Sequence, residues 1–308
     1  MRRRLLLILS WGISLAILGW VLSHVNGDVL WTALKTYSLS GCAMAILPVC
    51  ADYTCMGLRL RILLNRGTFP LGVQAELLCV GYNNILPFKA GDALKVVWLT
   101  QKLNMSVVEI GPIILWERLL DVAGLTCVAL LAYVFTEKTV HNMSILFVLF
   151  SVVLIFFVSR RYAAFFHVFY RHFPRKGAEI LEKLHENIFE KVAYSWILRG
   201  FLLTIVIWTL YFSSFYVVLV YVAHLPLSGE HVLITFAVTC LGMAIPSSPG
   251  GLGVFEGGIV LSLSWFGIDA SHALPAALFL HSLHFLPTTL TAVWISGRWG
   301  GANFRTDS

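Results

Sequence analysis

Apolar residues in this 308-residue chain come in long blocks, and polar residues collect between the blocks instead of alternating within them. Blocks at about 5–23, 39–58, 108–135, 143–159, 197–224 and 273–296 are of the length a helix needs to cross roughly 30 Å of hydrocarbon at 1.5 Å rise per residue. Two further blocks, at about 73–100 and 232–266, are broken near their middles. The breaks read Asn84-Ile85-Leu86-Pro87-Phe88-Lys89-Ala90-Gly91-Asp92 and Ile245-Pro246-Ser247-Ser248-Pro249-Gly250-Gly251-Leu252-Gly253. Each arm of these two blocks is too short to span, so both are expected to be re-entrant hairpins. Non-helical backbone at bilayer depth is tolerated only where protein or a water-filled cavity satisfies its polar groups. One such break in each half of a chain points to a binding site in membrane transporters.

Composition removes the soluble alternatives. Hydrophobic residues make up 58% of the chain and charged residues 12%, with a mean hydropathy of +0.81, whereas soluble domains carry roughly a quarter charged residues. The expectation is an all-α polytopic membrane protein, a single integral membrane domain over 1–308, with about six full spans and two hairpins. The longest polar segment, 160–194, is too short to bury a core of its own. It mixes Arg175, Lys176, Lys183 and Lys191 with Ile180, Leu181, Leu184, Ile188 and Phe189 at helical spacing. That pattern suits either an amphipathic helix on the headgroups or a connector packed on its own protein. Residues 26–36 suit a shorter interfacial helix. The N-terminal Arg2-Arg3-Arg4 and the apolar run after it lack a small-residue cleavage site, which favours an uncleaved first span over a signal peptide. The six cysteines are scattered through apolar segments without metal-ligand spacing and read as packing residues.

The net charge of +6 is concentrated beside the spans, so it reports topology and implies no nucleic-acid partner. Arg2–Arg4, a loop with Arg59, Arg61 and Arg66, the 160–194 connector, and Arg298 with Arg305 all fall on one face, and the opposite face holds only Lys35 and Lys138. The asymmetry places both termini in the cytoplasm. It also makes the two hairpins enter from opposite sides, so the halves 1–135 and 143–296 form a candidate inverted repeat.

Three motifs carry the candidate chemistry. At the first break, Gly91 permits a tight reversal, Asp92 is placed to cap the returning helix, and Lys89 and Lys95 stand near its positive end. The arrangement suits a phosphate or carboxylate, the alternative being a Lys89–Asp92 pair that locks the turn. At the second break, Ser247, Ser248, Gly250, Gly251 and Gly253 offer hydroxyl and backbone donors just ahead of a helix. Glu256 then either satisfies that helix start, acts as counter-ion to Lys89, Lys95 or Arg118, or carries a proton. Third, Glu117, Arg118 and Asp121 lie inside an apolar block, where each charge costs about 2.5–3.5 kcal/mol unless compensated. One cation cannot serve two carboxylates, so Lys89 or Lys95 is the expected further partner; a purely structural interhelix salt bridge is the alternative. Glu76, Glu109, Asp52 with Arg59, and His281 with His284 are weaker candidates. The two histidines read as core residues, not metal ligands. No Rossmann, serine-triad or paired-carboxylate pattern is present, so no cofactor, metal or enzymatic activity is expected.

Taken together, Leu86-Pro87-Phe88-Lys89-Ala90-Gly91-Asp92, Glu117-Arg118-Leu119-Leu120-Asp121 and Ser248-Pro249-Gly250-Gly251-Leu252-Gly253-Val254-Phe255-Glu256 resemble, in order, the motifs of a flippase-like membrane domain family. That family includes the transmembrane region of lysylphosphatidylglycerol synthase (multiple peptide resistance factor). Lys89 and Lys95 stand where the family usually has Arg, and Asp92 where Glu is common. Charge is kept while a bidentate grip on phosphate is lost, which suggests a different headgroup. The soluble aminoacyl-transferase domain is not among the 308 residues, so the resemblance implies lipid handling without lysyl transfer.

The resulting expectation is a flippase-like lipid transporter of a bacterial cytoplasmic membrane. An anionic phospholipid or polyprenyl-phosphate-linked glycan would bind between the two breaks, with Lys89, Lys95 and Arg118 on the phosphate. The alternative is a non-transporting scaffold that holds a glycosyltransferase or lipid-modifying enzyme through its 160–194 segment.

Overall fold

In a computed structural model, residues 37–135, 194–244 and 248–303 are described, together with isolated positions 28, 31, 32, 35 and 179. The expected spans 5–23 and 143–159, nearly all of the 160–194 connector, and Ser247 lie outside the described residues.

Eight α-helices make up the described part, and no strand occurs among the described residues. Helix α1, Leu39–Leu64, starts at Ser38, whose hydroxyl accepts from the Gly41 N–H at 3.1 Å. It ends at Asn65, which turns left-handed at φ 50° and returns its N–H to the Arg61 and Ile62 carbonyls. Arg59 and Arg61 therefore belong to the helix, and the expected loop begins only after them. Arg59 is fully buried.

Helix α2, Phe69–Ile85, is capped by Thr68 with Pro70 in its first turn, where a missing N–H costs nothing. After the first break, α3 runs Gly91–Leu103 and α4 runs Val107–Phe135. The second half repeats this order. Helix α5, Tyr194–Tyr216, continues into a π-helical turn over Val217–Val222; α6 is Gly229–Ala244, and α7 is Val254–Ser264 after the second break. Helix α8, Ala270–Asn303, closes the chain. The described order is thus long helix, broken pair, long helix, twice over.

The helices covering Ser40–Leu64, Val107–Phe135, Ser195–Val222 and Ala270–Trp299 are long and apolar enough to cross a membrane. The broken pairs are not: α2 and α3, of 17 and 13 residues, reach about 25 and 20 Å. Helices α6 and α7, of 16 and 11 residues, reach about 24 and 16 Å. Each pair folds back on itself. Lys95 of α3 lies against Glu76 of α2, and a Cβ on Gly258 of α7 would stand 3.0 Å from Thr239 Cα of α6.

Two cores match the two halves. Phe215, Phe236, Phe255, Ile259 and Leu280 build one, mainly from α5–α8. Leu60, Leu78, Trp98, Leu99 and Ile110 build the other from α1–α4, joined by Ile295 of α8. Large apolar side chains such as Leu47, Val134, Leu202 and Leu290 remain exposed on the long helices. Water would penalise that surface and hydrocarbon does not.

Candidate functional site

At the first break the Leu86 N–H still reaches the Tyr82 carbonyl at 2.7 Å, and Pro87 then ends the helix because it has no N–H to continue the ladder. Phe88 and Lys89 turn left-handed, at φ 59° and 52°. The returning helix α3 is not capped by Asp92. Asn83 Oδ1 accepts the Gly91 N–H at 2.8 Å instead. This is possible because Gly91 lies so close to α2 that a Cβ would stand 2.7 Å from Asn83 Oδ1. The neighbouring Asn84 points outward to α8, with Nδ2 3.3 Å from the Phe285 carbonyl and 3.0 and 3.1 Å from the Thr288 and Thr289 hydroxyls.

The second break turns on glycines at φ 68°, 70° and 85°, at Gly250, Gly251 and Gly253. L-residues with a Cβ rarely adopt that region. Its donors are largely used within the protein. The Gly251 N–H donates to the Ser248 carbonyl at 2.9 Å, the Ser248 hydroxyl to the Leu252 carbonyl at 3.0 Å, and the Gly253 N–H to Glu256 Oε2 at 2.7 Å. Glu256 thus satisfies the start of α7 and is not a counter-ion to Lys89, Lys95 or Arg118. Its other oxygen lies 2.6 Å from His281 Nδ1, and His281 Nε2 lies 3.1 Å from the Gly250 carbonyl oxygen.

The breaks touch. A Cβ on Gly250 would stand 3.3 Å from the Asn84 carbonyl oxygen and 2.6 Å from the Phe285 ring. Glycine is therefore required at Gly250 both for its backbone angle and for the contact.

Beside this junction runs a chain of charges. Lys95 is fully buried and donates to Glu76 Oε1 at 2.5 Å and Glu117 Oε2 at 2.6 Å, both also fully buried. Arg59 Nη1 donates to Asp121 Oδ1 at 2.6 Å and to the Thr204 hydroxyl at 2.9 Å, while its Nη2 stands 3.9 Å from Glu117 Oε1. Arg118 lies 3.3 Å from Asp121 and 3.5 Å from Asp92, and Cys79 Sγ donates to Asp92 at 3.3 Å. Five helices, α1–α5, are tied together by these contacts. At the outer end of this chain 42% of the Arg118 side chain is accessible.

Lys95, expected on a phosphate, instead neutralises two carboxylates; one of them is Glu117, the residue that needed a further partner. Lys89 is exposed and makes no ion pair among the described residues, so the alternative of a Lys89–Asp92 lock does not form. Of the cations assigned to an anion, Lys89 and Arg118 remain reachable. Sequence reasoning gave too little weight to Arg59, Glu76 and His281 and missed Asn83 and Asn84. A single ionised residue on an apolar helix always demands a partner, and that signal was present for Arg59 and Glu76.

His281 and His284 do not act together. His284 sits between the Tyr53 hydroxyl at 3.3 Å and the Ser214 hydroxyl at 3.2 Å. Among the described residues no group of three or more His, Cys, Asp or Glu is placed to hold a metal ion.

No curated protein matches this chain. The family described as the lysylphosphatidylglycerol synthase transmembrane region matches residues 7–292. Helices α1–α7, α8 up to Ala292, both breaks and the charged chain all lie inside that match, and the protein belongs to this family of membrane domains.

Proposed function

We propose that this membrane domain binds a lipid with an anionic headgroup at the junction of its two breaks and moves it between leaflets, as a transporter and not an enzyme. The observation that carries the reading is the contact between the breaks, at Gly250 and Asn84, inside a bundle whose outer surface is apolar. In this reading α2–α3 and α6–α7 are re-entrant hairpins entering from opposite sides of a bacterial cytoplasmic membrane, and both termini are cytoplasmic. Arg118 and Lys89 hold the phosphate. Arg59 fixes Asp121, which together with Asp92 holds Arg118 in place. The acyl chains remain in the bilayer.

Reconstitution tests this. Purified protein in liposomes should move fluorescent phosphatidylglycerol between leaflets, and Arg118→Ala and Lys89→Ala should each abolish movement while the protein remains folded. Normal movement by both variants, or none by the wild type, would refute the proposal.

A further inference from the structure

The charged chain contains a discrepancy in its deepest part. Asp52, Glu76 and Glu117 are each at least 95% buried, and so are Arg59 and Lys95. Three carboxyl groups thus face two permanent cations, which leaves one negative charge in excess. Asp92 and Asp121 do not relieve it, since they add carboxylates, and their remaining cation, Arg118, sits at the accessible end.

The contacts show which carboxyl is left over. Glu76 and Glu117 both hold Lys95, and Glu117 faces Arg59 as well. Among the described residues Asp52 has no ion pair or side-chain hydrogen bond, and its Oδ1 is buried without a partner; Glu76 and Glu117 each leave one oxygen unpartnered too, but hold Lys95 through the other. Arg59 lies two helical turns further along α1 and is engaged by Asp121 and Thr204. Among the described residues, the titratable and charged groups within electrostatic reach of Asp52 are Tyr53, Cys55 and Arg59 on its own helix, Asp121 on α4 and Tyr211 on α5. Only one of them is a cation. An ionised carboxylate buried without a hydrogen bond is among the most costly groups a protein can hold, and taking up a proton removes most of that cost.

We propose that Asp52 is a proton-binding site coupled through Arg59 to the headgroup site. The coupling rests on the lipid-binding reading above. A phosphate that draws Arg118 away from Asp121 leaves Asp121 dependent on Arg59, which then supports an ionised Asp52 less. Lipid and proton therefore favour each other's binding, and reciprocally so. A proton gradient could in this way drive lipid movement.

Infrared spectroscopy of the full-length protein in an ester-free detergent tests the site. At neutral pH the wild type should show the C=O band of one buried carboxylic acid, displaced in heavy water and lost on alkaline titration. Asp52→Asn should lack the band, and Glu76→Gln should keep it. Absence of the band in the wild type, its persistence in Asp52→Asn, or its loss in Glu76→Gln would each overturn the assignment. Should Asp52→Asn not fold, the wild-type titration and the Glu76→Gln spectrum decide the matter. Added ether-linked phosphatidylglycerol, which carries no ester carbonyl, should move the loss of the band to higher pH. If the band behaves as stated but phosphatidylglycerol neither shifts it nor crosses between leaflets, the lipid reading fails while the proton site stands.

Discussion

Replacing Lys95 with methionine removes the charge while keeping most of the side-chain volume, so the change isolates electrostatics. At an effective dielectric of about 20, a unit charge pair at about 2.6 Å attracts by roughly 6 kcal/mol, and Lys95 makes two such contacts. Desolvation of the three ions, at several kcal/mol each, opposes this gain. In the variant the desolvation of Glu76 and Glu117 remains and the attraction is gone, so a destabilisation of about 3–5 kcal/mol is expected. Equilibrium unfolding in mixed micelles, read by tryptophan fluorescence, measures it. The deficit should shrink as the pH is lowered, because Glu76 and Glu117 can then lose their charge by taking up protons. Glu76→Gln in the same chain should recover a large part of the loss, since one buried carboxylate disappears with its cation. A Lys95→Met cost under about 1 kcal/mol, or one equal with and without Glu76→Gln, would refute this account of the pair as coupled.

The breaks give two further expectations. Gly250→Ala places a Cβ 2.6 Å from the Phe285 ring at φ 68°. The backbone alone should cost about 1–2 kcal/mol, and Phe285→Leu should relieve only the steric part in thermal unfolding. Asn84→Ala removes the amide shared by Phe285, Thr288 and Thr289 and should cost about 1–3 kcal/mol; hydrogen exchange at residues 86–91 should accelerate, and unchanged exchange would contradict the role assigned to Asn84.

The breaks were legible because Pro87, Gly91, Pro249 and Gly250 act locally: a missing N–H or a missing Cβ has the same consequence in any surroundings. The helix boundaries were legible for a related reason, with Asn65 ending α1 later than the basic residues suggested. The partners of the charges were not legible. That Lys95 joins Glu76 and Glu117, or that Arg59 reaches Asp121, depends on which faces of α1–α4 meet, and four apolar helices offer many such faces. Asp92 shows the same limit: its position suited a cap, but the close approach of Gly91 to α2 gave that role to Asn83. His281 looked like filler because its acceptors, Glu256 and the Gly250 carbonyl, lie on a different helix and in a loop.

Helix α8 grips both interruptions within a stretch of nine residues: His281 holds Gly250 and Glu256, while Phe285, Thr288 and Thr289 hold Asn84. Pro287 lies inside the same stretch and leaves one rung of its ladder unmade, which makes this the natural place for the rod to flex. A tilt of the rod there must tug on the two loops at once. Neither interruption can shift alone, because both hang from the same bend.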